Sequence, residues 1–211
     1  MGKDSELQRI DVIDRRIVDQ VVNAIQSVIA GVPTTDEAPS ADPARRAARI
    51  ATVASTKAAA LASTLALPPG PLGILTIIPD LIGIWRIQQQ MVADIAGAFG
   101  KQAALSREQM LYCLFRHAAG QAVRDIVVRV GQRVLIRKAS LQVMQTALRK
   151  IGIRVTQRVI GRALSRWVPV AGAVGVGAYA FFDTRQVGKT AIALFSQDVD
   201  LEAQDDPMPR P

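Results

Sequence analysis

Three groups of residues have the types and spacing to do chemistry. Gly188–Lys189–Thr190 carries the ending of a phosphate-binding loop. Such a loop needs a glycine five positions before Gly188, where this chain has Asp183, a negative charge in the place of phosphate. No strand pattern precedes the run, so nucleotide binding there is rejected. Cys113 and His117 stand four apart, the spacing of a thiolate–imidazole pair on one helix face. Tyr112, Leu114 and Phe115 surround them, which favours a buried, inert thiol. Asp80 and Asp183 are single carboxylates in apolar stretches, and a lone carboxylate in such a setting must be paired, capped or neutral. Structural roles are expected for both, Asp80 capping a helix that starts at Pro79.

One cysteine and one histidine exclude an intrachain disulfide framework and leave no ligand set for a structural zinc. Gly172, Gly175 and Gly177 lack the spacing of a dinucleotide fingerprint. Paired carboxylates at hydrolase spacing are absent from the sequence. The expectation is a protein that is not an enzyme, with no cofactor, no metal and no small-molecule substrate.

Charge is a stronger signal. The formal net charge is +8, and thirteen of the eighteen acids lie before residue 43 or after residue 196. Residues 43–196 hold 21 Lys or Arg against five acids, and Arg116 to Arg166 holds twelve bases with Asp125 as its one acid. An excess so concentrated attracts polyanions: phospholipid headgroups, nucleic acid or an acidic protein. The basic run contains no aromatic residue on which bases would stack, which places nucleic acid below the other two.

The elements that position these residues are expected to be helices. The chain is 49% hydrophobic but only 4% aromatic, so its apolar content is mostly Ala, Val, Ile and Leu. Residues 1–31 read as an amphipathic N-terminal helix with Ile10, Ile17, Val21, Ile25 and Val28 at helical spacing, able to dock or to act separately. Residues 32–43 read as a proline-rich linker, 44–196 as the helical domain, and 197–211 as an acidic disordered tail. Asp42–Pro43 and Ser106 with Gln109 are helix-start signals. The helix opened by Ser106 is expected to extend past Gly120 into Val123–Lys138. Residues 141–166 alternate like a strand around Ile151–Val155, yet Lys150, Arg154, Arg158, Arg162 and Arg166 repeat every four residues. A helix is preferred, the five bases sweeping an arc of about 160° with Ile153, Ile160, Leu164 and Trp167 on the far side. The charged start has no apolar signal region, so a cytoplasmic chain is expected.

Two uncharged segments stand apart, Ala58–Pro79 and Trp167–Phe182, the first broken by prolines and the second short for a membrane span. Gly172, Gly175 and Gly177 leave a helix face nearly free of side chains, on which another backbone can lie closely. Burial as two central helices and insertion as a hairpin into one leaflet both remain open.

Pro69–Gly70 with Ile78–Pro79–Asp80–Leu81, Gln90, Ile95–Ala96 and Gly100, then Leu105–Met110, then Val168–Ala173 with Arg185 and Lys189, together resemble the EcsC family of bacterial proteins over residues 45–196. The resemblance implies an all-helical protein, often in membrane or transporter contexts, with no catalytic residues to carry over.

The reading is an all-α, single-domain helical bundle with two central Gly/Pro-marked apolar segments, structural roles falling to Asp80, Asp183, Gly172 and Gly175. Arg129, Arg133, Arg137, Arg154, Arg158 and Arg162 are expected to neutralise anionic phospholipid at the inner face of the cell membrane. The acidic tail would compete for that face. The alternative is a soluble helical adaptor whose basic face binds an acidic protein.

Overall fold

The computed structural model describes residues 3–65, 72–120, 123, 126–130, 133–136, 138–163 and 169–197. It is an all-α bundle: six α-helices among the described residues, a short 3-10 turn at Gln102–Ala104 and one small hairpin. The helices are α1 (Lys3–Ile29), α2 (Pro43–Leu65), α3 (Leu72–Ala98), α4 (Arg107–Ala119), α5 (Leu141–Ala163) and α6 (Pro169–Phe195). An inner pair, α3 and α4, is clasped between two outer pairs, α2 with α6 on one side and α1 with α5 on the other.

The inner position of α4 follows from its sequence. Gln109 to Phe115 are all buried, and a helix apolar on every side has to be covered on every side. Ser106 and Gln109 start it with the expected reciprocal capping box. Phe115 meets Trp85 of α3 edge to face, ring centroids 5.4 Å apart. On α3, Met91, Val92, Ile95 and Ala96 are buried. That helix ends in a Schellman turn, with Gly100 at φ 69° and the Lys101 N–H donating to the Ala96 carbonyl at 2.8 Å.

Of the two alternatives for the N-terminal helix the structure has docking, with Val21, Ala24, Ile25 and Val28 buried in the same core as α3 and α4. Other expectations need correcting. The proline-rich stretch is not a free linker. Gln89 donates to the carbonyls of Val28 and Gly31, Gln90 to that of Thr34, and Thr35 to Asp94. The stretch lies so close to α3 that a Cβ on Gly97 would come 2.7 Å from the Glu37 carbonyl oxygen. Glu37 and Arg46 then close the strap with two hydrogen bonds, which hold the Glu37 carboxyl below its ordinary range. Asp42 caps α2 as expected, accepting from Arg45 N–H at 3.1 Å.

Pro79 does not start a helix. It lies inside α3, so Asp80 is a half-buried mid-helix residue without the N-terminal dipole that would have stabilised it. The lost backbone bond is offset by the packing that follows it, where Trp85, Met91, Val92, Ile95 and Ala96 are locked into the core. Beyond α4 the expected helical continuation is instead an antiparallel hairpin, β1 (Val127–Val130) with β2 (Arg133–Ile136). Its β-branched residues, Val127, Val128, Val130, Val134 and Ile136, favour extended backbone. Residues 141–163 are helical, but Ala147, Leu148, Ile151 and Val155 form the buried face and Ile153 points outward, 39% exposed. Residues 164–168 and 198–211, and with them Trp167 and the acidic tail, lie outside the described residues.

Candidate functional site

The most built polar cluster joins the inner pair to α6. Asp183 accepts from His117 Nε2 at 2.8 Å and from the Tyr179 hydroxyl at 2.8 Å, both on Oδ1. Its Oδ2 accepts from Gln88 Nε2 at 2.9 Å, and the same amide reaches Thr184 Oγ1 at 3.1 Å. Burial is the largest influence on Asp183 and pushes its pKa up. The hydrogen bond and charge of His117, with the bonds from Gln88 and Tyr179, outweigh it and hold the carboxyl below its usual value of 3.8. Since an ionised carboxylate only accepts, His117 must donate from Nε2.

An aspartate that orients an imidazole also occurs in catalytic dyads. Here His117 Nδ1 is buried and has no hydrogen-bond partner among the described residues. Cys113, one turn earlier, is fully buried, and burial drives its thiol far above the usual range. The cluster ties the inward side of α6 to α3 and α4 and so fixes which side of α6 faces out.

The side turned out belongs to a surface made jointly with α2. These helices run antiparallel and almost touch. A Cβ on Gly188 would lie 2.7 Å from Ala51 Cβ, and one on Gly177 would meet Ser63 and the Ala59 carbonyl. Ala47, Ala51, Ala54, Ala58 and Ala62 supply the facing small residues. At about 100° per residue, Val174, Ala178, Phe182, Arg185 and Lys189 all fall within about 80° of α6's outer side. Every one is exposed, Val174 by 69% and Phe182 by 66%. Beside them α2 exposes Arg45, Arg49 and Val53. The Arg185 guanidinium donates to Thr52 Oγ1 at 3.1 Å, joining the two outer faces into one. Asp183 is the single carboxylate on either helix, and it is turned inward.

The sequence-expected residues are placed differently. Arg154 is exposed on α5. Arg129 and Arg133 sit on strands, not helices, Arg129 opposite Val134 and Arg133 opposite Val130. Arg158 and Arg162 continue α5 in backbone, with side chains outside the described set, and Arg137 lies wholly outside it. Of the glycines, Gly175 faces open space with nothing within 4 Å and has no packing role. Gly172 lies on α6 with surroundings outside the described set. Gly177, which was among the glycines expected to admit a close backbone, and Gly188 make the close approach. Reasoning from the densest basic run passed over Arg45 and Arg49, while Arg185 and Lys189 entered as a pair only with the family resemblance. The available signal was the absence of acids from residues 43–65, not the density of bases.

Among the described residues no helix is long and apolar enough to cross a membrane, and no group of His, Cys, Asp or Glu could hold a metal ion. No family model, curated protein or solved structure matches the chain.

Proposed function

We propose that this chain is a non-enzymatic peripheral membrane protein that docks on anionic lipid at the inner face of the cell membrane, in the manner its resemblance to EcsC proteins suggests. The observation that carries the reading is the outer face of α2 and α6, where Val174 and Phe182 are exposed beside Arg45, Arg49, Arg185 and Lys189 with no outward carboxylate on either helix. Phosphates attract the cations, worth about 1 kcal/mol each near an anionic surface. Exposed apolar side chains on the same face gain by leaving water for the acyl boundary. Nucleic acid would use the cations but leave Val174 and Phe182 in water.

Flotation with vesicles of phosphatidylcholine, with and without phosphatidylglycerol, tests the reading. The protein should float with anionic vesicles at low salt, stay at the bottom with neutral ones, and be released by high salt. Failure to float with anionic vesicles at low salt removes the proposal. Binding to an acidic protein instead would favour the adaptor reading.

A further inference from the structure

The face of α2 and α6 is graded along its length. Because the helices are antiparallel, with Gly188 against Ala51 and Gly177 against Ala59 and Ser63, the start of α2 lies beside the end of α6. Arg45 and Arg49 therefore share one end of the surface with Arg185 and Lys189. At the other end neither helix carries a charge, from Ala58 to Leu65 on α2 or from Pro169 to Phe182 on α6. The exposed Val174 and Phe182 belong to that end. Tyr179 lies near them, 38% exposed, with its hydroxyl turned in to Asp183. Val174 and Lys189 are separated by about 22 Å of helix axis.

We infer that the α2–α6 pair docks obliquely on an anionic phospholipid surface, the Val174–Phe182 end dipping below the headgroups while Arg45, Arg49, Arg185 and Lys189 hold the other end at the phosphates. The inference rests on the proposed lipid docking and adds an orientation to it. A flat pose would either drag the cations below the phosphates or hold Phe182 above the acyl boundary. A tilt satisfies both ends. Since the Asp183 cluster and the glycine seam fix the rotation of α6, the pair tilts as one rigid body with the bundle. A second copy of the chain is a poorer occupant: parallel pairing of this face would bring two basic ends together, and antiparallel pairing would set four cations of each copy against an uncharged end with no anion to meet them.

Site-directed fluorescence separates the orientation from the docking. An environment-sensitive thiol dye is attached to Val174→Cys at the apolar end, Ala193→Cys at the basic end, and Leu141→Cys on α5 as a control. These positions are exposed, whereas the native Cys113 is fully buried and stays unlabelled in the folded protein. With phosphatidylglycerol vesicles, the dye at 174 should shift to the blue and be quenched by nitroxide on the acyl chains. The dye at 193 should be quenched only by nitroxide on the headgroups, and the dye at 141 by neither. Phe182→Ser should weaken vesicle partitioning about tenfold.

Equal depth at 174 and 193, with flotation intact, overturns the oblique pose and leaves the docking. No flotation of any labelled or unlabelled chain overturns both. Quenching at 141 in preference to 174 moves the docking face to α5 and overturns the inference. Duplex DNA that shifts the protein in a gel while anionic vesicles fail to compete assigns the cations to nucleic acid and overturns it as well.

Discussion

The two outer helix pairs are built alike and charged differently. Each crosses at a glycine: Gly188 against Ala51 where α6 meets α2, and Gly152 against Val22 where α5 meets α1. Each carries a strongly basic helix. But α1 carries five acids, Asp4, Glu6, Asp11, Asp14 and Asp19, against four bases, whereas α2 carries four bases and no acid. A cation flanked by carboxylates has part of its field cancelled before any ligand arrives. A shorter basic row without them attracts polyanions more strongly. The lesson is that the field a basic helix presents depends on the acids packed near it, which the folded pairing of helices decides and a linear count of bases does not.

The sharpest way to break this comparison is to neutralise each face in turn. Replacing Arg45, Arg49, Arg185 and Lys189 together by Gln should cost about 4 kcal/mol of vesicle binding, a loss of two to three orders of magnitude in flotation at low salt. Replacing Arg149, Lys150 and Arg154 on α5 should change it far less. Equal losses from the two faces would mean that total charge, not the acid-free face, governs docking. Melting temperatures of both variants should stay near the parent's, because exposed cations contribute little to folding.

A smaller effect separates the seams. Gly188→Val should destabilise by about 1–3 kcal/mol, because Ala51 Cβ and the Met91 sulfur leave no room and a β-carbon cannot swing aside. Gly152→Ala should cost less, since its tightest neighbour is a methyl of Val22. Thermal unfolding of the two variants gives the order, and the reverse order would place the rigid seam at α1–α5.

The tie beneath α6 predicts a pH effect. Asp183 titrates near 3.8 when unfolded and lower when folded. Its stabilising contribution is thus full above 3.8 and lost as pH falls through the lower folded value. Asp183→Asn should cost about 1–3 kcal/mol at neutral pH by weakening the bonds from His117, Tyr179 and Gln88. The gap in stability between parent and variant should close on acidification. Urea midpoints measured across that range check it, and a gap that widens toward acid would contradict the assigned ionisation.

How much of this was legible in the sequence depends on distance along the chain. The all-α class, the Asp42 cap and the Ser106–Gln109 capping box are local signals, and local signals translate directly into structure. The small-residue seam was partly legible. Ala47, Ala51, Ala54, Ala58 and Ala62 recur at helical spacing, as do Gly177, Ala180, Thr184, Gly188 and Ala191. The denser Gly172–Gly177 cluster supplies one of the close contacts, at Gly177, while Gly188 lies outside it. The His117–Asp183 tie joins positions 66 apart, and no spacing rule predicts such a pair. The strap over α3 looked like a linker because prolines and polar residues serve equally in free and in tethered chain. The difference lies in Gln89, Gln90 and Asp94, on another element.

The gentlest test concerns a glycine that does not pack. Gly175 sits mid-helix on the open side of α6, and a Cβ there would meet nothing within 4 Å. Without a steric cost, Gly175→Ala should change stability through the unfolded chain and helix propensity alone, a gain of about 0.5–1 kcal/mol. The same substitution at Gly188 should lose stability, because the added carbon would sit 2.7 Å from Ala51 Cβ. The pair of variants reads the seam with a single methyl as the probe, by the difference in their melting temperatures. The methyl at 175 also lies on the end of α6 assigned to the lipid, between Val174 and Ala178, where a little more apolar surface should leave vesicle binding unchanged or slightly stronger. A loss of binding from Gly175→Ala, with stability raised as expected, would mean that this end of α6 needs its glycine to admit something closer than a lipid tail.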